Sequence, residues 1–327
     1  MGPVARGGRE LLVGLALGRT GLGWLDPSAP IFAFLAQIGF ALVMFVAGTH
    51  VPMRDASLRP ALLRGVARAA VVAAVAIPAG WGIARFFGTG HAWLYAVLLA
   101  SSSAALALPV LQRRTSDRPG LELIVQLAVE DTLCIVALPL SLQPESAGRA
   151  GLGALAVLAA GGLLYLVLAW GERSGYRRRV HKVSEDNRLA VEIRVVLVAL
   201  FALCALALAT GLSVMLGGFV VGLVVSAVGE PRRVARQVFA ITEGFFAPVF
   251  FIWFGSQLML RHVDLEAVWL GLALGAGALV CHLVPGLLTR QPAAMAALAA
   301  AQLGVPIAAM TDAGASESSG RVRTVPC

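Results

Sequence analysis

The chain has 327 residues, of which 58% are hydrophobic and only 13% are charged. Because soluble domains carry about 25% charged residues, this composition excludes an ordinary soluble globular protein and predicts an integral membrane protein. The formal net charge of +8 does not indicate a nucleic-acid partner, since the arginines cluster in loops between apolar segments, as the positive-inside rule describes.

About eleven apolar segments follow one another along the chain, and transmembrane helices need about 20 such residues each. In chain order they cover residues 10–23, 31–51, 62–87, 93–111, 121–142, 152–170, 193–210, 212–228, 238–260, 267–288 and 292–310. The first is short for a span, and the seventh and eighth are almost continuous. The pattern predicts an all-α, polytopic membrane protein with about 11 transmembrane helices.

The loops alternate in charge. Several basic residues follow the second, fourth, sixth and eighth segments, whereas each intervening loop carries at most one arginine. Basic loops stay in the cytoplasm. The alternation therefore predicts that the first segment begins in the cytoplasm and that the long loop after the sixth segment is cytoplasmic.

Glu130 and Asp131 are adjacent acidic residues near the middle of the fifth segment. A carboxylate at bilayer depth costs at least ~3 kcal/mol on the insertion scale, and such residues usually line a cavity and handle ions or protons. Successive helical residues are about 100° apart, so the two carboxylates face different directions, and Gln126 shares the face of Glu130. A carboxylate that titrates near neutral pH can exchange a proton for a cation. The alternative is a structural polar contact between helices.

Ser101, Ser102 and Ser103 precede an alanine-rich run and Pro109 in the fourth segment. Serine hydroxyls compete for backbone hydrogen bonds, and a proline removes one. The pattern therefore permits a broken helix whose freed carbonyl groups line a cavity. The alternative is a helix-packing surface of small residues.

His282 lies in the tenth segment, three residues before Pro285. One interpretation makes it a counter-charge to Asp131 or a proton relay. The other makes it a histidine that is bonded to a backbone carbonyl or lies near the cytoplasmic end of the helix.

The four cysteines, Cys134, Cys204, Cys281 and Cys327, have neither metal-type spacing nor the pattern of a disulfide framework. The sequence also lacks a nucleotide-binding loop. It therefore predicts no cofactor, no resident metal ion and no enzyme activity.

Five stretches resemble, in order, those of the monovalent cation:proton antiporter family, the sodium/hydrogen exchanger type found in bacteria. They are GRELLVGLALGRTGLG, AQIGFALVMFVAGTHV, SSSAALALPVLQ, LSVMLGGFVVGLVVS and FFAPVFFIWFG. The third is similar to the family's unwound Ser/Thr helix, which ends Leu-Pro-Val-Leu. The resemblance covers nearly the whole chain.

The resemblance assigns expected roles to single residues. Asp131 falls on the family's ion-binding aspartate. Glu130 falls on its neighbour, which is usually Asp in members that move net charge and Asn in electroneutral members. Ser103 falls near a Thr or Ser of the unwound helix. His282 falls on a position that often carries lysine in charge-moving members.

The resemblance also implies an architecture and an activity. The expected fold is an inverted-repeat antiporter with a six-helix core domain, broken fourth and eleventh helices and a separate domain through which two copies form a homodimer. The expected activity is secondary active exchange of Na⁺ or K⁺ for protons by alternating access, in the bacterial inner membrane. Ser101 and Ser102 would be accessory to the site, as would Gln302 in the Gln-Leu-Gly-x-Pro stretch.

The family usually has one helix before the first of these stretches and at least one after the region 302–306. We therefore expect a truncation at both ends, with a transmembrane antiporter domain over residues 1–311 and a disordered polar tail over residues 312–327. One alternative is a non-transporting remnant or membrane scaffold. Another is an organic-anion symporter, which needs cationic groups at mid-membrane depth, where we find only His282.

Overall fold

The computed structural model of the chain describes residues 3–49, 51, 53, 58–102, 118–142, 147–174, 191–229, 232–260 and 265–300. Within these ranges there are twelve α-helices, one π-helical turn and no β-strand. In chain order they are α1 (Pro3–Leu17), α2 (Pro30–Thr49), α3 (Leu58–Phe87), α4 (Ala92–Ala100), α5 (Arg118–Leu142), α6 (Ala147–Arg173), α7 (Val191–Ala209), α8 (Val214–Val228), α9 (Arg232–Ile241), the π-helical turn (Thr242–Phe246), α10 (Ala247–Gln257), α11 (Leu265–Leu288) and α12 (Ala293–Ala299).

The helices confirm the all-α prediction. Within the described residues, each of the eleven apolar segments overlaps one helix, because α9, the π-helical turn and α10 follow one another without a break. Five helices of the described chain are long and apolar enough to cross a membrane, and they cover Pro30–Thr49, Pro60–Phe87, Gly151–Arg173, Gln237–Gln257 and Leu265–Leu288.

The fourth segment contains the break that the serine run predicts. Helix α4 ends at Ala100, and Ser101 has an extended backbone with φ −75° and ψ 148°. The hydroxyl group of Ser101 donates a hydrogen bond to the Leu98 carbonyl oxygen at 2.8 Å, and its backbone N–H contacts the same oxygen. The serine thus closes the last turn of α4 with its own donors.

The helices pack into two bundles. The first bundle contains α1, α2, α7, α8 and the continuous helical segment formed by α9, the π-helical turn and α10. Helix α6 packs against α7 and α8 of this bundle. Its core includes Phe45, Leu200 and Leu216. The second bundle contains α3, α4, α5, α11 and α12, and its core includes Ala76 and Leu99.

Glycines allow the backbones of α2 and α8 to touch. A methyl group at Gly218 would overlap the carbonyl oxygen of Ala41, and one at Gly222 would overlap that of Phe45. Close approach through small residues is how helices pack in membranes, where the lipid removes the hydrophobic driving force between them. These contacts make α2 and α8 one unit inside the first bundle.

An apolar cluster joins the two bundles. Met44 of α2 and Phe219 of α8 pack in it with Leu123 and Leu127 of α5 and with Met295 of α12. Helix α5 therefore presents an apolar face to the first bundle. Its polar residues are left to face its own bundle.

The structure agrees with the sidedness that the charged loops predict. The charge alternation puts the beginnings of α3 and α5 and the end of α11 on the cytoplasmic side. Arg68 of α3, Glu122 of α5 and Thr289, which directly follows α11, are in contact in the structure. Helix ends predicted for the same side therefore meet at the same end of the second bundle.

A cysteine at Ser174 tests this orientation. Ser174 is exposed directly after α6, at the start of the most basic loop. In a Cys327→Ser background, we expect Ser174→Cys to be protected from an impermeant thiol reagent in intact cells and to react once the cells are permeabilised. His91→Cys, on the exposed loop before α4, is the matched control and should react in intact cells. Labelling of Ser174→Cys with protection of His91→Cys would reverse the orientation.

Candidate functional site

One face of α5 carries a buried polar stripe, formed by Glu122, Gln126 and Glu130. The four-residue intervals place the three side chains on one side of the helix. Their exposed fractions are 3%, 0% and 2%. The stripe spans about 12 Å along the helix axis at 1.5 Å per residue. Helix α5 thus presents two carboxyl groups and one carboxamide to the interior of the second bundle.

Glu130 contacts a different nitrogen atom with each carboxylate oxygen. Gln126 Nε2 donates a hydrogen bond to Glu130 Oε1 at 2.9 Å. Glu130 Oε2 lies 3.4 Å from His282 Nε2 of α11. The second distance is longer than the ~2.7–2.9 Å of a tight charge-assisted hydrogen bond. The Glu130 carboxyl group and the His282 ring are therefore in contact without a tight hydrogen bond between them.

The environment of His282 determines which of its ring nitrogens faces Glu130. Nδ1 lies 2.8 Å from the carbonyl oxygen of Ala278, one turn earlier in α11. Because a carbonyl oxygen can only accept, Nδ1 carries a proton. Nε2 and the carboxylate oxygen are then both acceptors unless one of them is protonated. A favourable contact between His282 and Glu130 therefore needs one proton, on either side chain.

The structure corrects the expected partner of His282. The sequence predicted Asp131 as the opposite charge, but the carboxylate beside His282 is that of Glu130. The reason is the helical phase: Glu130 is directed toward His282 of α11, and the next residue along α5 is turned about 100° away from Glu130. The backbone bond that the other interpretation expected is present, since the second ring nitrogen of His282 is bonded to the Ala278 carbonyl oxygen.

Asp131 is buried beside this pair, with an exposed fraction of 8%. Both adjacent carboxyl groups are therefore buried. Cys134, one turn further along α5, contacts the Val97 carbonyl oxygen of α4 through its sulfur at 3.5 Å. The acidic pair thus lies where α5 packs against α4 and α11.

The two described serines lie at the same helix junction. Both are buried, and the hydroxyl group of Ser102 donates to the Leu127 carbonyl oxygen of α5 at 3.4 Å. The structure therefore brings the end of α4 against α5 at the backbone of Leu127. Ser103 and Gln302 lie outside the described residues, and their roles stay predictions.

Sequence reasoning missed Gln291, which contacts the polar stripe from the turn between α11 and α12. Gln291 Nε2 donates to Gln126 Oε1 at 3.4 Å. Arg290 has a φ of +54°, the left-handed conformation that commonly ends a helix, and the Gln291 N–H bonds the Gly286 carbonyl oxygen at 2.8 Å. The sequence offers only the helix-stop signal of Pro292, which does not show where a neighbouring side chain points.

Sequence reasoning also missed a buried ion pair at the start of the stripe. Arg68 Nη2 lies 2.8 Å from Glu122 Oε2, and the two side chains are 5% and 4% exposed. Arg68 Nε donates to Thr289 Oγ1 at 3.0 Å, and the more exposed Arg64 lies 3.2 Å from Glu122. Arg68 lies inside the third apolar segment, and a hydropathy average over about 20 residues does not register a single charged residue there.

The residues gathered here are of the types that carry protons and bind small cations in transporters. Two adjacent buried carboxyl groups and an imidazole beside one of them are groups that can carry a proton. Hydroxyl groups and freed carbonyl groups at a broken helix are the groups with which transporters bind monovalent cations.

Comparison with known proteins identifies the family. The profile of the sodium/hydrogen exchanger family, transmembrane, matches residues 9–316. The chain belongs to this family. The resemblance seen in the sequence is thereby confirmed, and the chain is an exchanger-family membrane protein.

Several curated relatives and one solved structure show how far the likeness extends. A Na(+)/H(+) antiporter of Enterococcus hirae is 26% identical over 259 residues, which are 76% of this chain and 66% of the relative. The Na(+)/H(+)-K(+) antiporter GerN of Bacillus cereus is 20% identical, over 84% of this chain and 70% of the relative. The sodium proton antiporter MjNhaP1 of Methanocaldococcus jannaschii, solved at pH 8, matches with a TM-score of 0.66 and 17% identity, over 97% of this chain and 81% of that chain.

The structural match confirms the antiporter-type fold, including its all-helical architecture. The chain spans only part of some relatives. The match covers 66% of the Enterococcus hirae protein and 42% of the putative antiporter YjbQ of Bacillus subtilis. The likeness therefore establishes the family and the fold of this chain, and its transport activity is proposed below.

Proposed function

We propose that this chain is a secondary active transporter that exchanges a monovalent cation, Na⁺ or K⁺, for protons across the cell membrane. The observation that supports this proposal most directly is the buried contact of Glu130 with His282 beside Asp131. In an exchanger-family protein, buried carboxyl groups are the natural carriers of a cation or a proton. The names of the relatives support this substrate class, because they are a Na(+)/H(+) antiporter and a Na(+)/H(+)-K(+) antiporter.

The proposed reaction alternates between a protonated site and a cation-loaded site. Asp131 binds either a proton or the cation. Glu130 and His282 share one proton while the cation is absent. Cation entry beside Asp131 adds positive charge near His282, which favours release of that proton. Alternating access then carries the loaded site across the membrane by movement of one bundle against the other.

The alternatives have less support. An organic-anion symporter needs a free cationic group at the binding site. Arg68 is cationic and buried, but Glu122 lies against it at 2.8 Å. A scaffold or a non-transporting remnant does not need adjacent buried carboxyl groups, which cost free energy in a membrane. The homodimer and the bacterial inner membrane remain proposals that follow from family membership.

An exchange assay tests the proposed function directly. The purified 327-residue chain would be reconstituted in vesicles that hold an acid-inside pH gradient, with a pH-sensitive dye inside. We expect a pulse of Na⁺ or K⁺ outside to dissipate the gradient, and the more effective cation identifies the substrate. Absence of dissipation by Na⁺, K⁺ and Li⁺ from protein that unfolds cooperatively on heating would contradict the proposal.

Substitution of His282 tests whether this residue carries a proton in the cycle. A free lysine holds its proton to a pH of about 10.4 and a free histidine only to about 6.5. We therefore expect His282→Lys to shift the activity profile toward alkaline pH, and His282→Gln to flatten its pH dependence. The measurement is the initial exchange rate between pH 6 and pH 9. Identical profiles for all three side chains would make His282 a bystander bonded to the backbone.

A further inference from the structure

We propose that Gln126 is a positioning residue for the exchange reaction, and that Gln291 orients it so that the Glu130 carboxylate stays fixed against His282. This inference rests on the function proposed above and adds two uncharged residues to it. Its basis is a continuous chain of hydrogen bonds, from the turn after α11 through Gln126 to Glu130.

The first step concerns burial. Gln126 is fully buried, and Gln291 is 6% exposed. A buried carboxamide needs hydrogen-bond partners, because an unpaired polar group in the interior costs free energy. Gln126 meets this need with one contact to Glu130 at 2.9 Å and one to Gln291 at 3.4 Å.

The second step concerns the direction of these bonds. An ionised carboxylate can only accept hydrogen bonds, so the nitrogen of Gln126 must face Glu130. The oxygen of Gln126 then faces Gln291 and needs a donor, which Gln291 Nε2 supplies. If Gln126 flipped its amide, it would place an oxygen against Glu130 and a nitrogen against the nitrogen of Gln291. The pair of amides therefore favours a single orientation.

The third step concerns the carboxylate. With Oε1 engaged by Gln126, the plane of the carboxyl group is fixed and Oε2 is directed at His282. The turn that carries Gln291 is itself fixed by the left-handed Arg290 and by the bond from Gln291 N–H to Gly286. Movement at the end of α11 is thus coupled to the orientation of Glu130.

The fourth step concerns the size of the expected effect on the apparent KM for the cation. Residues that orient the groups of an ion site without touching the ion typically change affinity or activity about 10–100-fold when removed. Here the oriented group is Glu130, which shares with His282 the proton that is released when the cation enters beside Asp131. We therefore expect Gln126→Leu to raise the apparent KM for the cation about tenfold, with the maximal rate within about twofold of wild type. Gln291→Leu should raise it less, because Gln126 can still reach Glu130.

A double-mutant cycle separates this coupling from general damage. Effects of residues that act through one another are not additive. We expect Gln126→Leu/Gln291→Leu to have the KM of Gln126→Leu alone. Gln257→Leu, the same substitution at the end of α10 in the other bundle, is the matched control and should leave KM unchanged. Additive KM effects, or an unchanged KM in both single variants, would overturn the inference.

Infrared spectroscopy supplies a readout that does not require transport. The carboxylate stretching band of Glu130 is identified by its loss in Glu130→Gln. We expect this band to shift in Gln126→Leu and in Gln291→Leu, and to stay in place in Gln257→Leu. An unchanged band in the glutamine variants overturns the inference whether or not the chain transports. If the band shifts but no exchange is measured, only the proposed function is overturned. If Gln126→Leu does not fold, Gln291→Leu carries both tests, because it lies in a turn outside the helices.

Discussion

Replacement of Asp131 by asparagine is expected to abolish cation-driven proton release and to leave the protein folded. The amide has nearly the same shape as the carboxyl group, but it neither titrates nor carries the charge that attracts a cation. Folding should survive, because an amide costs less to bury than a charge. The measurement is dye-monitored exchange in reconstituted vesicles, with thermal unfolding in detergent as the check on folding.

Glu130→Gln is the matched comparison for Asp131→Asn. It removes the charge that faces His282 and keeps the length of the side chain and one acceptor for Gln126. We expect it to weaken cation binding less than Asp131→Asn and to change the net charge moved per cycle more. Wild-type exchange in Asp131→Asn would remove Asp131 from the mechanism and leave Glu130 as the remaining carboxylate.

Removal of Glu122 is expected to be the most destabilising single change in the second bundle. Glu122→Leu would leave Arg68 as a buried charge without its 2.8 Å partner. Breaking a buried ion pair from one side costs about 3–5 kcal/mol. We expect a clear fall in the thermal unfolding temperature in detergent, and poor recovery of folded protein from membranes.

The double variant Arg68→Met/Glu122→Leu separates the contribution of the ion pair to stability from the cost of leaving one of its charges unpaired. Replacing a buried ion pair by apolar residues of similar volume is often neutral or stabilising. We therefore expect Arg68→Met/Glu122→Leu to recover most of the stability lost in Glu122→Leu. Arg64 is the control, since its side chain is 57% exposed and Arg64→Met should change the unfolding temperature little. A double variant no more stable than Glu122→Leu would show that the charges stabilise the bundle through other partners.

The sequence was sufficient for the order and approximate positions of the described helices, and it permitted the end of the fourth one inside its apolar segment. A transmembrane helix needs only a long apolar run, which hydropathy detects directly. The end of α4 at Ala100 is consistent with the break that the serines permit, because the hydroxyl group of Ser101 bonds the Leu98 carbonyl oxygen in the last turn of the helix. Family membership could also be predicted, since the motifs are local in sequence.

The partners inside the site could not be predicted in the same way. The contact between His282 and Glu130 depends on the rotational phase of α5 and α11 about their own axes, and a one-residue difference turns a side chain by about 100°. Gln291 contacts Gln126 because a left-handed residue reverses the chain after α11, and Arg290 is not a residue type that signals this conformation. Such contacts are determined by how the helices pack, and local sequence patterns do not contain this information.

The polar stripe of α5 also has a consequence for how the protein is made. His282 leaves the ribosome 152 residues after Glu130. At ~5–20 residues per second, α5 must wait roughly 8–30 seconds for this partner. Arg68 is synthesised before α5 and can pair with Glu122 at once, so α3 is the first helix able to hold α5 in place. A nascent chain that stops before α11 therefore holds Glu130 in mid-helix without His282, and the insertion machinery has to shelter this side chain until synthesis is complete.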